Sequence, residues 1–412
     1  MPNPVQRGSS VRHIVNSRLY LGATIAMFLS GLGVSAAAPQ IALFLVKDLG
    51  ASLPTAGLYY LTNVTAPLAG YLVGARSDRT GNRLRLFRLC AAAGFLGWVG
   101  IAWSTKVWMP FAISAVILGF SGAAGSQIFA AVHDQLEREP GSDKEGVVSV
   151  IRMALTAGWV VGPVVGSWLG SWLGLRVMLF LTAVCLLAQI VPLGALRTAE
   201  AGGAIDPASR ERRPADRPRG DMLPLLMFCG LYVMVYAGEP VKYGFLPIYM
   251  TQQLQIAPEV SGAAIGIQPL VELLIMPFSL MVGRRVGLMQ IMAFGAGLGI
   301  AANLCFATTG STIGMFAGQI FMGGVWGIFA ALGIIAAQRL LPRAIATASA
   351  IFMSSSAIGS ALGGLTGSLG VALLGLPHVY FVPGGFAFLA VIGLTLMARA
   401  RVLDRGTRRE IP

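Results

Sequence analysis

Residues 74–85 read GARSDRTGNRLR and lie between two strongly apolar segments. Five arginines fall between positions 76 and 88, although charged residues make up only 11% of the chain. A basic stretch between two apolar ones is typical of a loop that joins two membrane helices on the cytoplasmic side. We therefore predict a loop here, with Gly74 and Gly81 allowing the backbone to turn sharply at its ends.

The composition of the whole chain is typical of helical membrane proteins. Of the 412 residues, 55% are hydrophobic and 53 are glycine. Soluble domains carry about 25% charged residues and about 7% glycine, whereas small residues let helix backbones approach closely in lipid. Apolar stretches of about 20 residues each match one crossing of a bilayer. The predicted fold class is an all-α, multi-pass membrane protein.

Twelve apolar spans can be drawn along the chain. They are residues 19–46, 54–74, 86–104, 108–132, 147–169, 173–196, 222–250, 258–282, 288–308, 312–336, 346–370 and 377–398. The polar segment after the sixth span has three prolines and five clustered arginines, which predicts a disordered linker. The predicted domains are a cytoplasmic N-terminus (1–18), an N-terminal six-helix half (19–196), a cytoplasmic linker (197–221), a C-terminal six-helix half (222–398) and a cytoplasmic tail (399–412). Two equal halves in tandem fit a duplicated bundle with a small-molecule site between them.

The basic residues lie mainly on one side of this predicted topology. With the N-terminus in the cytoplasm, 25 of the 30 lysines and arginines fall in cytoplasmic segments. This bias predicts that both termini are cytoplasmic and that the basic rim contacts anionic lipid of the bilayer. The net charge of +13 is therefore a topology signal, and no nucleic-acid partner is expected.

Cysteine and histidine patterns indicate no metal centre, and we expect no cofactor. The four cysteines lie inside apolar spans without short spacings, and the three histidines are scattered. No phosphate-binding loop of the type G-x-x-x-x-G-K-[ST] occurs, so a gradient rather than ATP would have to drive uphill transport. Intramembrane His, Cys, Asp and Ser residues do not converge on a catalytic set, and the chain is not predicted to be an enzyme.

The second half contains the ionisable residues with most potential for chemistry. Glu239 and Lys242 are three apart in the seventh span, so they share a helix face and can pair, and Tyr236 lies close to that face. Glu272 is in the middle of the eighth span, with Gln268 one turn before it. A carboxyl group there can load and unload a proton. Glu239 and Lys242 can equally form a structural ion pair, and Glu272 can be the partner of a buried arginine or hydroxyl.

The fifth span combines a charge with a glycine pattern. Gly158, Gly162 and Gly166 are four apart and predict a close helix-packing face, while Pro163 permits a bend. Arg152 lies six residues before this pattern. A charged residue within a span costs about 2.5–3.5 kcal/mol on insertion scales and is a functional-site hypothesis, although near the inner end of a helix it can also extend to the interface.

Isolated polar residues in other spans can hydrogen-bond a substrate hydroxyl or simply join two helices. They are Gln40, Asn63, Gln127, Gln189, Asn303 and Gln319. Interhelical contacts of this kind average only about 0.6 kcal/mol. Trp326 and Tyr236 can stack on a substrate ring, although isolated aromatic residues more often pack in the core. Asp134 at the inner end of the fourth span is a weaker proton candidate.

The spacing G-x-x-x-D-R-x-G-x-R at 74–83 resembles the signature loop of the major facilitator superfamily, and it follows the second of twelve spans as in that family. Arg76 and Asn82 depart from the usual pattern. The resemblance implies the twelve-helix major facilitator fold. It also implies a cytoplasmic latch that governs the inward–outward switch, which would comprise Asp78, Arg79, Gly81 and Arg83.

Several further motifs are similar to the sugar efflux branch of the family. They are Arg-Ser-Asp at 76–78, Gln127-Ile128-Phe129-Ala130, Arg152 with GWVVGP at 158–163, and Glu272 at its distance after Pro247. The resemblance implies proton-coupled efflux of a sugar across a bacterial-type plasma (inner) membrane. Glu272 would bind the proton or a sugar hydroxyl, and Arg152 would be its counter-charge or a substrate ligand. Among the isolated polar residues, Gln127 is the favoured candidate for a hydrogen bond to a sugar hydroxyl.

Other functions remain open at this point. A drug–proton antiporter on the same fold would also suit a cavity with aromatic residues and one carboxylate. A membrane sensor that does not transport, or a membrane-embedded enzyme, belongs to a different class. The expected partners are a small-molecule substrate, protons and the lipid bilayer.

Overall fold

The computed structural model describes residues 14–139, 144–194, 196 and 222–400. These residues are mainly helical, and none of them forms a β-strand. In chain order the helices are α1 (Arg18–Ala37), α2 (Ile41–Lys47), α3 (Leu53–Leu58), α4 (Ala66–Thr80), α5 (Arg83–Ala102), α6 (Trp108–Ile113), α7 (Gly119–Glu137), α8 (Lys144–Trp172), α9 (Leu175–Ala188), α10 (Leu223–Tyr236), α11 (Gly238–Ile248), α12 (Pro258–Val286), α13 (Leu288–Thr308), α14 (Thr312–Leu340), α15 (Ile345–Leu374) and α16 (Phe381–Arg399). The predicted linker, 197–221, lies outside the described residues.

Helix length and surface chemistry together identify a multi-pass membrane protein. Within the described ranges, eleven helical segments are long and apolar enough to cross a bilayer. The predicted second span, 54–74, is not among them; it is helical, but a 3₁₀ segment at Tyr59–Thr65 separates α3 from α4. Large apolar side chains such as Phe278, Ile313 and Leu369 are exposed. Exposed apolar side chains in this number are suited to lipid rather than to water.

The chain divides into two compact units. Among the described residues, the first comprises those from 14 to 50 and from 62 to 196, and the second comprises 51–61 and 222–400. Residues 51–61 fall inside the predicted N-terminal half, yet they group with the second unit because α3 packs on α15. There the Ser368 hydroxyl donates to the Pro54 carbonyl at 2.7 Å, and a Cβ at Gly57 would lie 2.9 Å from Phe245.

In the first unit, α8 packs along α1 with the two backbones in contact. A Cβ at Gly158 would lie 2.5 Å from the Leu32 nitrogen, and one at Gly162 would lie 2.8 Å from the Leu32 carbonyl oxygen. At Gly166 the distance to the Ala36 Cα would be 2.8 Å. Only glycine allows this approach, and the buried Pro163 lies between two of these contacts.

The turn at 74–85 is shorter than predicted, and the prediction of a loop over this whole stretch is wrong. Helix α4 continues to Thr80, so Gly74 lies inside a helix. Nothing from Gly74 to Thr80 interrupts helical hydrogen bonding, and Arg79 in the last turn favours a helix C-terminus. Gly81 ends the helix with φ +66°, and its N–H donates to the Ser77 carbonyl at 2.9 Å. This left-handed position favours glycine, and α5 begins two residues later.

In the second unit, the seventh predicted span is broken in the middle. Helix α10 ends at Tyr236 and α11 begins at Gly238. Pro240 explains the break, because its ring has no N–H to donate and would clash with the carbonyl four residues earlier. The break sets Glu239 in the first turn of α11.

Candidate functional site

The first candidate site forms at the start of α11. The Lys242 ammonium donates to both carboxylate oxygens of Glu239, at 2.7 and 2.9 Å. The two residues are three apart on one helix, so their side chains leave the same face. The pair predicted from the spacing is therefore present in the structure.

Two further helices contribute to this pair. Gln268 of α12 accepts a hydrogen bond from Lys242 through its Oε1 and donates from its Nε2 to Glu239 at 3.4 Å. The indole nitrogen of Trp326 on α14 donates to Glu239 at 2.5 Å. We call Glu239, Lys242, Gln268 and Trp326 the buried cluster, because the Lys242 and Glu239 side chains are only 2% and 12% exposed.

The buried cluster is electrically compensated. Glu239 accepts from three side chains, and Lys242 donates to two and also lies 4.2 Å from the ring centre of Tyr243. Buried charges persist only when they are paired and their remaining hydrogen-bonding capacity is satisfied. The cluster meets both conditions, so its charges are stable inside the helical bundle of the second unit.

Glu272 is placed differently from Glu239. It lies on α12 one turn after Gln268 and is half-buried. It is close enough to Glu239 and Lys242 to interact electrostatically with both, yet its carboxylate has no hydrogen-bond partner in the part of the chain that the structure describes. Glu272 is thus the carboxylate of this site that remains available to a proton or to a hydroxyl donor.

Aromatic side chains flank the same site. The rings of Tyr236 and Trp326 are 5.4 Å apart between centroids and meet edge to face. Tyr232 adds a third ring, whose centroid is 5.9 Å from that of Tyr236. Tyr236 is half-buried, so part of this aromatic wall is accessible.

A second polar group lies in the first unit, around the turn between α4 and α5. Arg83 donates to Asp78 at 2.6 Å and to Ser77 at 2.8 Å, and its Nε donates to Asp134 at 3.2 Å. The Ser77 hydroxyl donates in turn to the buried Gln127 at 2.5 Å. We call these five residues the hairpin cluster.

The structure separates several predicted site residues from the buried cluster. Gln127 belongs to the hairpin cluster of the first unit. Arg152 is exposed on α8, and its guanidinium forms no ion pair with any described residue. Arg79 is likewise exposed, whereas Asp78, Gly81 and Arg83 meet at the turn. Of the candidates in the second unit, Glu239, Lys242, Gln268, Trp326, Tyr236 and Glu272 come together.

Sequence reasoning missed some members of both groups. Ser77 carried a signal, because it immediately precedes Asp78 and can reach the same arginine. Tyr232 also carried one, since it lies four residues before Tyr236 on the same helix face. No sequence pattern indicated the hydrogen bond from Trp326 to Glu239, because 87 residues separate the two. Within the described ranges, no group of three His, Cys, Asp or Glu side chains can hold a metal ion.

Fold and site together define a class of protein. Membrane-spanning helices enclose a compensated ion pair and, beside it, a carboxylate that no described residue hydrogen-bonds, as in proteins that move small molecules across a bilayer. The family profile of the Major Facilitator Superfamily matches residues 23–238, just over half of the chain, and the protein belongs to this family. It is accordingly a membrane transporter of small molecules and not an enzyme.

Relatives match along nearly the whole chain. A protein named "Putative sugar efflux transporter" from Deinococcus radiodurans is 28% identical over 389 residues, which cover 92% of this chain and 98% of the relative. "Sugar efflux transporter C" from Escherichia coli is 22% identical and covers 90% and 93%. Among solved structures, the nucleoside transporter NupG matches with a TM-score of 0.75 at 18% identity, over 93% of this chain and 99% of that one. At this identity the structural match shows the fold alone, and it agrees with the predicted fold class.

Proposed function

We propose that this protein is a secondary active transporter that exports sugars or related small polyhydroxy molecules, with protons as the coupling ion. The names of relatives that match over about nine-tenths of the chain support this substrate class. The proposed location is a bacterial-type plasma (inner) membrane. Both termini are placed in the cytoplasm, since 25 of the 30 basic residues lie on that side of the predicted topology.

The observation that carries the proposal is Glu272 beside the buried cluster. Glu239 is saturated by Lys242, Gln268 and Trp326, so its charge is compensated where it is. Glu272 has no such partner among the described residues. An intramembrane ionisable residue is a functional-site hypothesis by default, and carboxylates at such positions include the proton relays of transporters. We assign the coupling proton to Glu272.

In this mechanism Glu272 alternates between two hydrogen-bonding states. With a proton it is neutral and can donate one hydrogen bond, and without the proton it only accepts. A sugar hydroxyl can pair with either state, but the geometry of the pair changes when the proton leaves. The buried cluster keeps the Lys242 ammonium on Glu239, so Glu272 is not permanently neutralised. Tyr236 and Trp326 offer an aromatic surface for the apolar face of a sugar ring.

The hairpin cluster has a separate role in the proposal. Asp78 and Arg83 join the end of α4 to the start of α5, and Asp134 ties α7 to the same arginine. Partly exposed ion pairs are weak, typically about 0–1 kcal/mol, so this contact can form and break in each transport cycle. We assign it the function of a cytoplasmic latch in alternating access.

The test is efflux of labelled sugars from vesicles that contain the purified protein, with and without an imposed pH gradient. We expect the gradient to accelerate sugar movement in the wild type. Glu272→Gln should abolish the acceleration without changing insertion or melting, because the amide keeps the size of the side chain but cannot release a proton. Glu259→Gln, at the start of the same helix, is the matched control for loss of a carboxylate and should keep the acceleration by the gradient.

Two outcomes contradict different parts of the proposal. Sugar movement that ignores the gradient contradicts proton coupling. Gradient-driven transport at the wild-type rate in Glu272→Gln contradicts the role assigned to this residue.

The aromatic wall supports a second candidate, a drug–proton antiporter. Tyr232, Tyr236 and Trp326 lie beside two carboxylates, and aromatic faces with negative charge attract lipophilic cations. The same vesicles loaded with a cationic dye separate the two functions. Dye movement without sugar movement favours the antiporter.

A further inference from the structure

Gln319 is a buried side-chain amide that forms no hydrogen bond with any described residue. Its side chain is 0% exposed, and neither its Oε1 nor its Nε2 has a partner among the described residues. The other buried amides of the described chain each bond at least one atom, and they are Gln40, Gln127, Gln189, Gln268 and Asn303. Gln319 therefore differs from all of them.

This condition is energetically unfavourable. A buried polar group without a partner costs about 1–3 kcal/mol by mutational measures, and an amide carries both an acceptor and a donor group. Unsatisfied groups of this kind in native proteins usually have a specific reason, such as a bound water or a functional role. A leucine or methionine at position 319 would pack without this cost.

The position of Gln319 ties it to the site already described. Trp326 follows it by seven residues, which is about two helical turns and about 10 Å along the axis. The two side chains therefore leave α14 on the same stripe, and Trp326 donates to Glu239 of the buried cluster. One turn after Gln319, a Cβ at Gly323 would lie 2.8 Å from the carbonyl oxygen of Gln268. Gln319 thus lies on the same face of α14 as Trp326 of the buried cluster, but nearer to the start of the helix.

The neighbours of Gln319 along the helix suit a site that opens. Met315 and Met322 are buried one turn away on either side. Unbranched methionine side chains repack readily around a changing contact. In the present state the amide is closed off, and access needs a movement of α14 against its neighbours. A transport cycle by alternating access supplies such a movement.

We propose that Gln319 is a specificity-determining residue, whose amide binds two adjacent hydroxyl groups of the substrate when the site opens. The amide oxygen accepts a hydrogen bond from one hydroxyl while the amide N–H donates to the next. A vicinal diol therefore provides partners for both Oε1 and Nε2 at once. A lipophilic cation without hydroxyl groups satisfies neither. This inference rests on the proposed function and names the substrate feature that the same site recognises.

The experiment compares sugars with their deoxy analogues. Proteoliposomes of the wild type and of Gln319→Met are assayed for counterflow of glucose, galactose, arabinose and lactose, and then for mono-deoxy forms of the sugar that moves fastest. We expect the wild type to discriminate against the deoxy form at one adjacent pair of positions by roughly tenfold, the scale of one hydrogen bond. Gln319→Met should lose this discrimination and should melt no lower than the wild type, since an apolar side chain replaces an unsatisfied amide.

Asn303→Leu is the control, because it removes a buried amide that is already bonded to its own helix. It should leave the ratio of sugar to deoxy sugar unchanged. If the wild type and Gln319→Met both transport sugar and discriminate equally against the deoxy sugar, this inference alone is overturned. If the wild type moves none of the four sugars, the proposed sugar export fails, and the inference fails with it.

Discussion

The hairpin cluster and the buried cluster each pair a cation with carboxylates, and they differ in their contact with solvent. In the hairpin cluster, Arg83 bonds Asp78 and Asp134, and these side chains are 18%, 56% and 40% exposed. In the buried cluster, Lys242 bonds Glu239, and the corresponding exposed fractions are 2% and 12%. Both clusters pair a basic side chain with carboxylates, and burial is the largest difference between them.

The comparison indicates which contacts persist during function. Exposed pairs contribute about 0–1 kcal/mol and are screened by salt, whereas removal of one partner of a buried pair costs about 3–5 kcal/mol. The hairpin cluster can therefore act as a latch that opens. The buried cluster is better suited to a fixed frame that orients Trp326 and Gln268 beside Glu272, the residue to which we assign the coupling proton.

The largest expected effect comes from Lys242→Met. This change leaves the Glu239 carboxylate buried with Gln268 and Trp326 but without a counter-charge. We expect the protein to be destabilised by about 3–5 kcal/mol, with a clear fall in melting temperature in detergent and in the amount of folded protein recovered.

The double variant Lys242→Met with Glu239→Gln is the matched control. It removes both charges together, and we expect it to recover most of the lost stability, because a neutral amide costs less to bury than an unpaired carboxylate. If the single and double variants melt at the same temperature, the pair is not a structural frame and the contrast with the hairpin cluster disappears.

An intermediate effect is expected from Trp326→Phe. The ring largely keeps its packing against Tyr236, but Glu239 loses one of its three donors. We expect a loss of about 1 kcal/mol, within the range of interhelical hydrogen bonds in membrane proteins, measured as a moderate fall in melting temperature.

Trp168→Phe is the control for this substitution. Trp168 is 44% exposed on α8 and donates no hydrogen bond from its side chain to a described residue, so its replacement should leave the melting temperature nearly unchanged. Equal losses in the two variants would mean that the bond to Glu239 contributes nothing measurable.

The fold and the shorter-range part of the site could be predicted from the sequence. Apolar stretches of bilayer length predicted the helices, and the spacing of Glu239 and Lys242 predicted their pairing. Gly81 was also predicted as a turn residue, and it has a positive φ in the structure. All three depend on residues that are close in sequence or on a single helix.

The remainder depends on how distant helices pack. The helix that continues through Asp78 was missed because charge was read as a sign of a loop, although helices often extend beyond the apolar region into water. The contribution of Trp326 to the buried cluster, and the lack of any partner for Gln319 among the described residues, follow from the packing of α14 against its neighbours. No local pattern contains that information.

The smallest expected effect on stability comes from Asp78→Asn, which removes one charge of the hairpin cluster. Asp78 is more than half exposed, and Asp134 continues to bond Arg83, so we expect a loss of no more than about 1 kcal/mol that shrinks as salt is raised. Transport should change more than stability does, because a weakened latch shifts the balance between the states of the cycle. Melting temperature and sugar efflux are measured together, with Arg85→Gln as a control, since Arg85 is exposed and has no ion-pair partner among the described residues. A loss of stability as large as that of Lys242→Met would show that burial does not separate the two clusters.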